Sequence, residues 1–187
     1  KLPMTHVDTG MGLERILATL NGLDDHYKTD LFVSIINKIE EISKISYSED
    51  SGMAHRVIAD HIRMVSFSLA DGIMPSNEGR GYVVRRVLRR AARFGRVLNI
   101  EKDFLHILVQ PLCDILGDAY PELIEKREHI EKVIKIEEVS FGKTLDRGLN
   151  LINEIINLQN NKIISGEDVF KLYDTYGFPV DLTQLIA

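Results

Sequence analysis

Aliphatic side chains recur every three or four residues along most of this chain, in blocks separated by glycine, proline and polar turns. Leu31, Ile35, Ile36, Ile39 and Ile42 form one block, and Val57, Ile58, Ile62, Val65 and Leu69 form another. This spacing puts the apolar residues on one face of an α-helix rather than on alternate sides of a strand. The expected fold is therefore mainly α. A chain of 187 residues allows one or two domains and a real hydrophobic core. Tryptophan is absent and aromatics make up 7%, so aliphatic residues must fill that core.

The punctuation sharpens the outline. Lys1–Thr9 has room for a short strand ending at Val7-Asp8, Gly10-Met11-Gly12 reads as a tight turn, and Leu13–Leu20 reads as a helix stopped by Asn21-Gly22. Asp30 is expected to cap the next helix. Tyr47–Met53 is expected as a loop, Ala54–Ala70 as a helix, Asp71–Arg80 as a turn, Gly81–Arg96 as a helix and Phe104–Leu116 as a further helical stretch. Pro121–Leu158 reads as one long helix with Pro121 in its first turn, bearing Ile130, Ile134, Phe141, Leu145, Leu149 and Ile152. Ser165 and Asp168 resemble a capping box; Gly177 and Pro179 stop that helix, and Asp181 caps one more. No apolar run approaches the roughly 20 residues of a membrane span. Lys1 starts without a charged-then-apolar leader. The lone Cys113, inside an apolar stretch, reads as a buried thiol. These features suit a cytoplasmic protein, and both ends read as cuts through a longer chain.

Four segments carry chemistry. Arg80–Arg96 holds Arg80, Arg85, Arg86, Arg89, Arg90, Arg93 and Arg96 and no acid, in a chain whose net charge is −5. On a helix, Arg85, Arg89, Arg93 and Arg96 fall on one side, with Val84, Val87, Leu88 and Ala91 facing the core. Phosphate would relieve the repulsion among these guanidinium groups, and so would pairing with the acidic face of Glu122–Glu138; both readings are expected to hold in part. Pro75-Ser76-Asn77-Glu78-Gly79-Arg80-Gly81 leads into that helix. It presents Asn77 at the rim, either as a base-edge reader or as a plain turn cap. Asp8-Thr9-Gly10-Met11-Gly12-Leu13-Glu14-Arg15 starts like a dinucleotide fingerprint, but Arg15 stands at the sixth position and no βαβ unit follows. What remains is a carboxylate, a turn that admits a ligand closely and an arginine one helical turn in, suited to an amino acid or a nucleotide phosphate. Tyr173-Asp174-Thr175-Tyr176-Gly177-Phe178-Pro179 places Asp174 near a helix C-terminus, where the dipole disfavours it. The six histidines are scattered, and no metal site is expected.

Taken together, these segments resemble the alanyl-tRNA synthetases, which are class II enzymes. His6-Val7-Asp8-Thr9-Gly10-Met11-Gly12-Leu13-Glu14-Arg15-Ile16 is similar to their motif 3. Arg56–Arg63, Ala70–Tyr82 and Leu172–Pro179 are similar to their helical tRNA-recognition region. The resemblance covers essentially the whole chain. It implies two parts: residues 1–25, the last strand and helix of a class II catalytic core, and 26–187, a helical bundle-like tRNA-recognition domain. It implies a parent that joins alanine to ATP and then to tRNA(Ala), with ATP and Mg2+ required. Zinc belongs to an editing domain outside this chain, and the catalytic motifs 1 and 2 also lie outside it, so the chain alone is expected not to aminoacylate. By the resemblance Asp8, Gly10 and Gly12 hold alanine and Arg15 contacts ATP. Asn77 and Asp174 recognise a G·U wobble pair in the acceptor stem. Arg80, Arg85, Arg86, Arg89, Arg90 and Arg93 are expected to face its phosphates. A stand-alone helical RNA- or DNA-binding module without a catalytic role is the alternative, and a scaffold whose arginines all pair internally is a third.

Overall fold

A computed structural model of the chain describes residues 3–4, 9–48, 50–158, 164–174, 178, 180 and 183–184, with the backbone alone at 149, 153, 157, 158 and 174. The helices are α1 (Leu13–Leu20), α2 (Asp30–Ser43), α3 (Met53–Ala70), α4 (Gly79–Val97), α5 (Val109–Leu116), α6 (Pro121–Glu125), α7 (Arg127–Leu158) and α8 (Gly166–Asp174). Short 3-10 turns at His26–Lys28 and Leu105–Leu108 lead into α2 and α5. Among the described residues there is no strand. The strand expected within Lys1–Thr9 falls largely on residues outside the described set, as do the stop at Gly177 and Pro179 and the cap at Asp181.

The apolar stripes read from the sequence meet in one main core. Ile35 and Ile39 of α2, Ile58, Ile62 and Leu69 of α3, and Leu88 of α4 are essentially inaccessible, together with Leu108, Leu112 and Ile134. At about 25 cal/mol per Å² of apolar area, burial of this kind is what holds such helices together. Cys113 is free and buried within the same core, and burial pushes its thiol pKa up. A second, smaller core joins Phe141, Leu145 and Ile152 of α7 to Leu172 of α8 and to Phe178. Gly148 makes room for it, since a Cβ there would lie 2.1 Å from the Phe178 ring.

The structure corrects two expectations. Thr29, not Asp30, is the N-cap of α2, and Asp30 is the first helical residue. The single long helix expected over Pro121–Leu158 is broken at Lys126, whose backbone leaves the helical region at φ −103°, ψ 8°. The Lys126 Nζ there donates to the Ala70 carbonyl at the end of α3, 2.5 Å away, and Leu123 is fully buried. Docking on α3 therefore turns a short first helix away from the axis of the long one. On α4, Arg85, Arg89 and Arg96 reach residues of α7, and Arg93 stacks over the Phe94 ring at 5.7 Å. Elsewhere α1 spans Leu13–Leu20 as read, and Ser165 Oγ accepts from the Asp168 backbone N–H at 3.1 Å, capping α8.

α7 is 32 residues long, about 48 Å at 1.5 Å per residue. Its first turns enter the main core through Ile130 and Ile134, and its later turns carry the second. Gly142 lies where the two meet, and a Cβ added there would touch nothing within 4 Å. Glu138, one turn earlier, is buried in the seam between α7 and the turn at Phe104. Its carboxylate accepts the backbone N–H groups of Phe104 at 3.1 Å and Leu105 at 3.0 Å.

Candidate nucleic-acid interface

α4 has three faces because it packs on two partners and leaves one side open. Val84, Leu88, Ala91 and Phe94 enter the main core against α3. A second face meets α7, and its cations are satisfied there. Arg85 Nη2 donates to Glu137 Oε2 at 3.2 Å, and Arg89 Nε donates to Glu137 Oε1 at 3.0 Å. Glu137 lies within the acidic stretch Glu122–Glu138, and it is only 8% exposed. Arg89 also stacks over the Phe141 ring at 5.2 Å. Arg96 donates to Asp146 at 3.1 Å and to the Glu101 carbonyl at 2.5 Å. The third face carries Tyr82, Val83, Arg86, Arg90 and Val97, all exposed, and Arg80 is exposed at the helix start. Among the described residues, the side chains of Arg80 and Arg90 have no ion-pair or hydrogen-bond partner.

Pro75 to Gly81 folds tightly onto the first turn of α4. A Cβ on Gly81 would lie 2.2 Å from the Met74 carbonyl and 2.3 Å from Ser76 Oγ, so only glycine permits the approach. Ser76 Oγ donates to the Glu78 carbonyl at 2.8 Å, which fixes the turn. Asn77 is left exposed at the rim, and its Oδ1 accepts from Arg85 Nη1. This orients the amide, with its NH2 donors turned away from Arg85 and a second lone pair left on the oxygen. The Asn77–Arg85–Glu137–Arg89 chain thus ties the rim of α4 to α7, as the expected pairing with the acidic face Glu122–Glu138 foresaw, with Glu137 as its centre.

Asp174 ends α8, whose Leu172 is buried against Phe141, Leu145 and Ile152 of α7. Its backbone is therefore referred to the same helix that holds Asn77 through Arg85; its side chain lies outside the described atoms. Asp8 lies outside the described residues altogether. Gly10 and Gly12 are exposed, Gly12 with a positive φ of 77° at the start of α1. Arg15 is exposed and lines a cavity of about 380 Å³ together with Gly10, Gly12, His26 and Asp60. Asp60 ionises more readily than usual, chiefly because His61 hydrogen-bonds to it. Among the described residues, no group of three or more His, Cys, Asp or Glu side chains could hold a metal ion, and no helix is long and apolar enough to cross a membrane.

The exposed guanidinium face with a fixed amide at its rim, and the glycine-bounded cavity with its own arginine, both offer donors to anionic groups. The chain belongs to the family described as tRNA synthetases class II (A), whose model matches residues 1–187. It is similar to the alanine–tRNA ligases of Psychrobacter sp. (strain PRwf-1), at 55% identity over 187 residues, and of Bacillus subtilis (strain 168), at 50% over 191. That of Chlorobium chlorochromatii (strain CaD3) is 49% identical over 193 residues. Each alignment covers the whole of this chain and 20%, 22% and 22% of the relative, so the chain spans about a fifth of the length of the relatives it matches.

Proposed function

We propose that this chain is the tRNA-reading part of an alanine–tRNA ligase, joined to the motif 3 end of its catalytic core. In the parent, the alanine carboxylate attacks the α-phosphorus of ATP and pyrophosphate leaves. A hydroxyl of the terminal adenosine of tRNA(Ala) then attacks the adenylate carbonyl, and AMP leaves. Asp8 would hold the alanine ammonium group. Gly10 and Gly12 would line that pocket, and Arg15 would meet the ATP phosphates across the cavity it borders.

The observation that carries the reading is the placement of Asn77 at the rim of an acid-free helix, with its amide fixed by Arg85. In a G·U wobble the guanine amino group projects unpaired into the wide, shallow minor groove of RNA, where a short side chain can reach it. The free lone pair of Asn77 Oδ1 and the Asp174 carboxylate are acceptors suited to that amine. The open face of α4, with Arg80, Arg86 and Arg90, is where phosphates would lie, positioning the stem without specifying it.

Binding of the full-length protein to acceptor-stem duplexes differing only in G·U versus G·C tests this. Preference for G·U by about 1–3 kcal/mol is expected, lost in Asn77→Ala and in Asp174→Ala. Equal affinities, unchanged in both variants, would defeat the base-reading role and leave a sequence-blind RNA-binding module.

A further inference from the structure

Glu14 and Arg15 are neighbours on α1 and point in different directions, since consecutive helical residues project about 100° apart. Glu14 turns toward α3, where Arg63 Nη2 lies 2.5 Å from its Oε1. Both side chains are largely shielded, at 25% and 18% exposure. The Arg63 guanidinium stacks over the Phe32 ring of α2 at 4.5 Å, so the pair is braced by two helices. Glu14 is held below the usual carboxylate range, first by its own backbone N–H and then, against the effect of burial, by Arg63. Arg15 is exposed and borders the cavity, whose lining also includes Glu14 and Phe32.

Leu17 packs against the main core, but the rest of α1 adds little to fix its rotation. The helix is eight residues long, it has no side-chain cap, and Ala18 is its one buried residue; Leu13 and Leu20 are 60% and 79% exposed. An isolated helix this short is not stable in water, so its orientation depends on tertiary contacts. We propose that Arg63 is a positioning residue for Arg15: by clamping Glu14, it sets the rotation of α1 about its axis and so aims Arg15 into the cavity where an ATP phosphate binds. The inference rests on the reading of Arg15 as the ATP-contacting arginine.

The test is ATP–pyrophosphate exchange by the full-length protein. Arg63→Met keeps an apolar stem over Phe32 but releases Glu14. Its KM for ATP should rise about tenfold, with the KM for alanine and kcat within twofold of wild type. Arg63→Lys, which keeps a cation beside Glu14, should recover most of the ATP affinity. Adding Glu14→Gln to Arg63→Met should cost nothing further, because the two side chains act as one unit. If Arg63→Met fails to fold, Glu14→Gln alone, with its shape preserved, must show the same rise in KM for ATP. An unchanged KM for ATP in a folded Arg63→Met or Glu14→Gln protein, while Arg15→Ala raises it, overturns the positioning role alone. An unchanged KM for ATP in Arg15→Ala overturns the reading of Arg15 and the inference with it.

Discussion

Glu138 keeps a carboxyl group where almost no water reaches it. Burial pushes its pKa up to about 7, although the Phe104 and Leu105 amides pull the other way. The folded state therefore holds this proton more tightly than the unfolded chain, whose glutamates titrate near 4.5. Between those values the folded protein is protonated at Glu138 and the unfolded chain is not, so this group's contribution to stability falls as pH rises from about 4.5 to about 7. Glu138→Gln removes the titration and retains an acceptor for the amides. Thermal unfolding should show wild type losing stability relative to Glu138→Gln across that window, by on the order of 2–3 kcal/mol in all. A difference that stays flat from pH 4.5 to 7.5 would rule out the shifted carboxyl. The seven-arginine stretch divides at the same scale. Arg89 and Arg90 are adjacent in sequence, yet one is spent on Glu137 and the other faces solvent.

That division sets what α4 can do as an element. Arg89→Ala takes one of two guanidinium partners from a nearly buried carboxylate, and should cost about 1–3 kcal/mol in a denaturation experiment. Arg90→Ala should leave stability within about 0.5 kcal/mol. It should weaken G·U and G·C duplexes alike and lower the salt slope of binding by about 1. An Arg90→Ala loss confined to the G·U duplex would contradict a phosphate role. Elements of this kind were legible in the sequence wherever local signals decide: Leu13–Leu20 from its glycine turn and Asn-Gly stop, and the α8 cap from Ser165 and Asp168. The core face of α4 was legible too, from Val84, Leu88 and Ala91. The break at Lys126 was not, because the apolar spacing runs on through it and the cause is a carbonyl 56 residues away, on α3. The candidate site divides in the same way. Asn77 stood out beside Pro75 and the glycines. For Arg85, 52 residues from Glu137, the sequence named the acidic stretch Glu122–Glu138 but not which glutamate; Arg63, 49 residues from Glu14, meets its partner only after folding, and no spacing of charges pointed to it.

At the scale of the whole molecule, α7 is the common reference. Arg85 and Arg89 fasten the start of α4 to it at Glu137, Arg96 fastens the end of α4 at Asp146, and α8 packs on its stretch from Phe141 to Ile152. The main and the smaller core are thus joined by one continuous helix, and the two proposed base-reading positions take their separation from its length. Gly142 lies just over a turn beyond Glu137 and one turn before Asp146, in a spot where an alanine methyl would meet nothing. Gly142→Ala should raise the folding stability by about 0.5–1 kcal/mol, read as a higher midpoint in denaturant. A lower midpoint would mean that the glycine is needed for packing after all. In mechanical terms α7 is the bar of a caliper. Asn77 and Asp174 ride on jaws fastened to the same bar, and because α4 grips that bar on both sides of Gly142, through Glu137 and Asp146, the gauge of the gap is held against bending there.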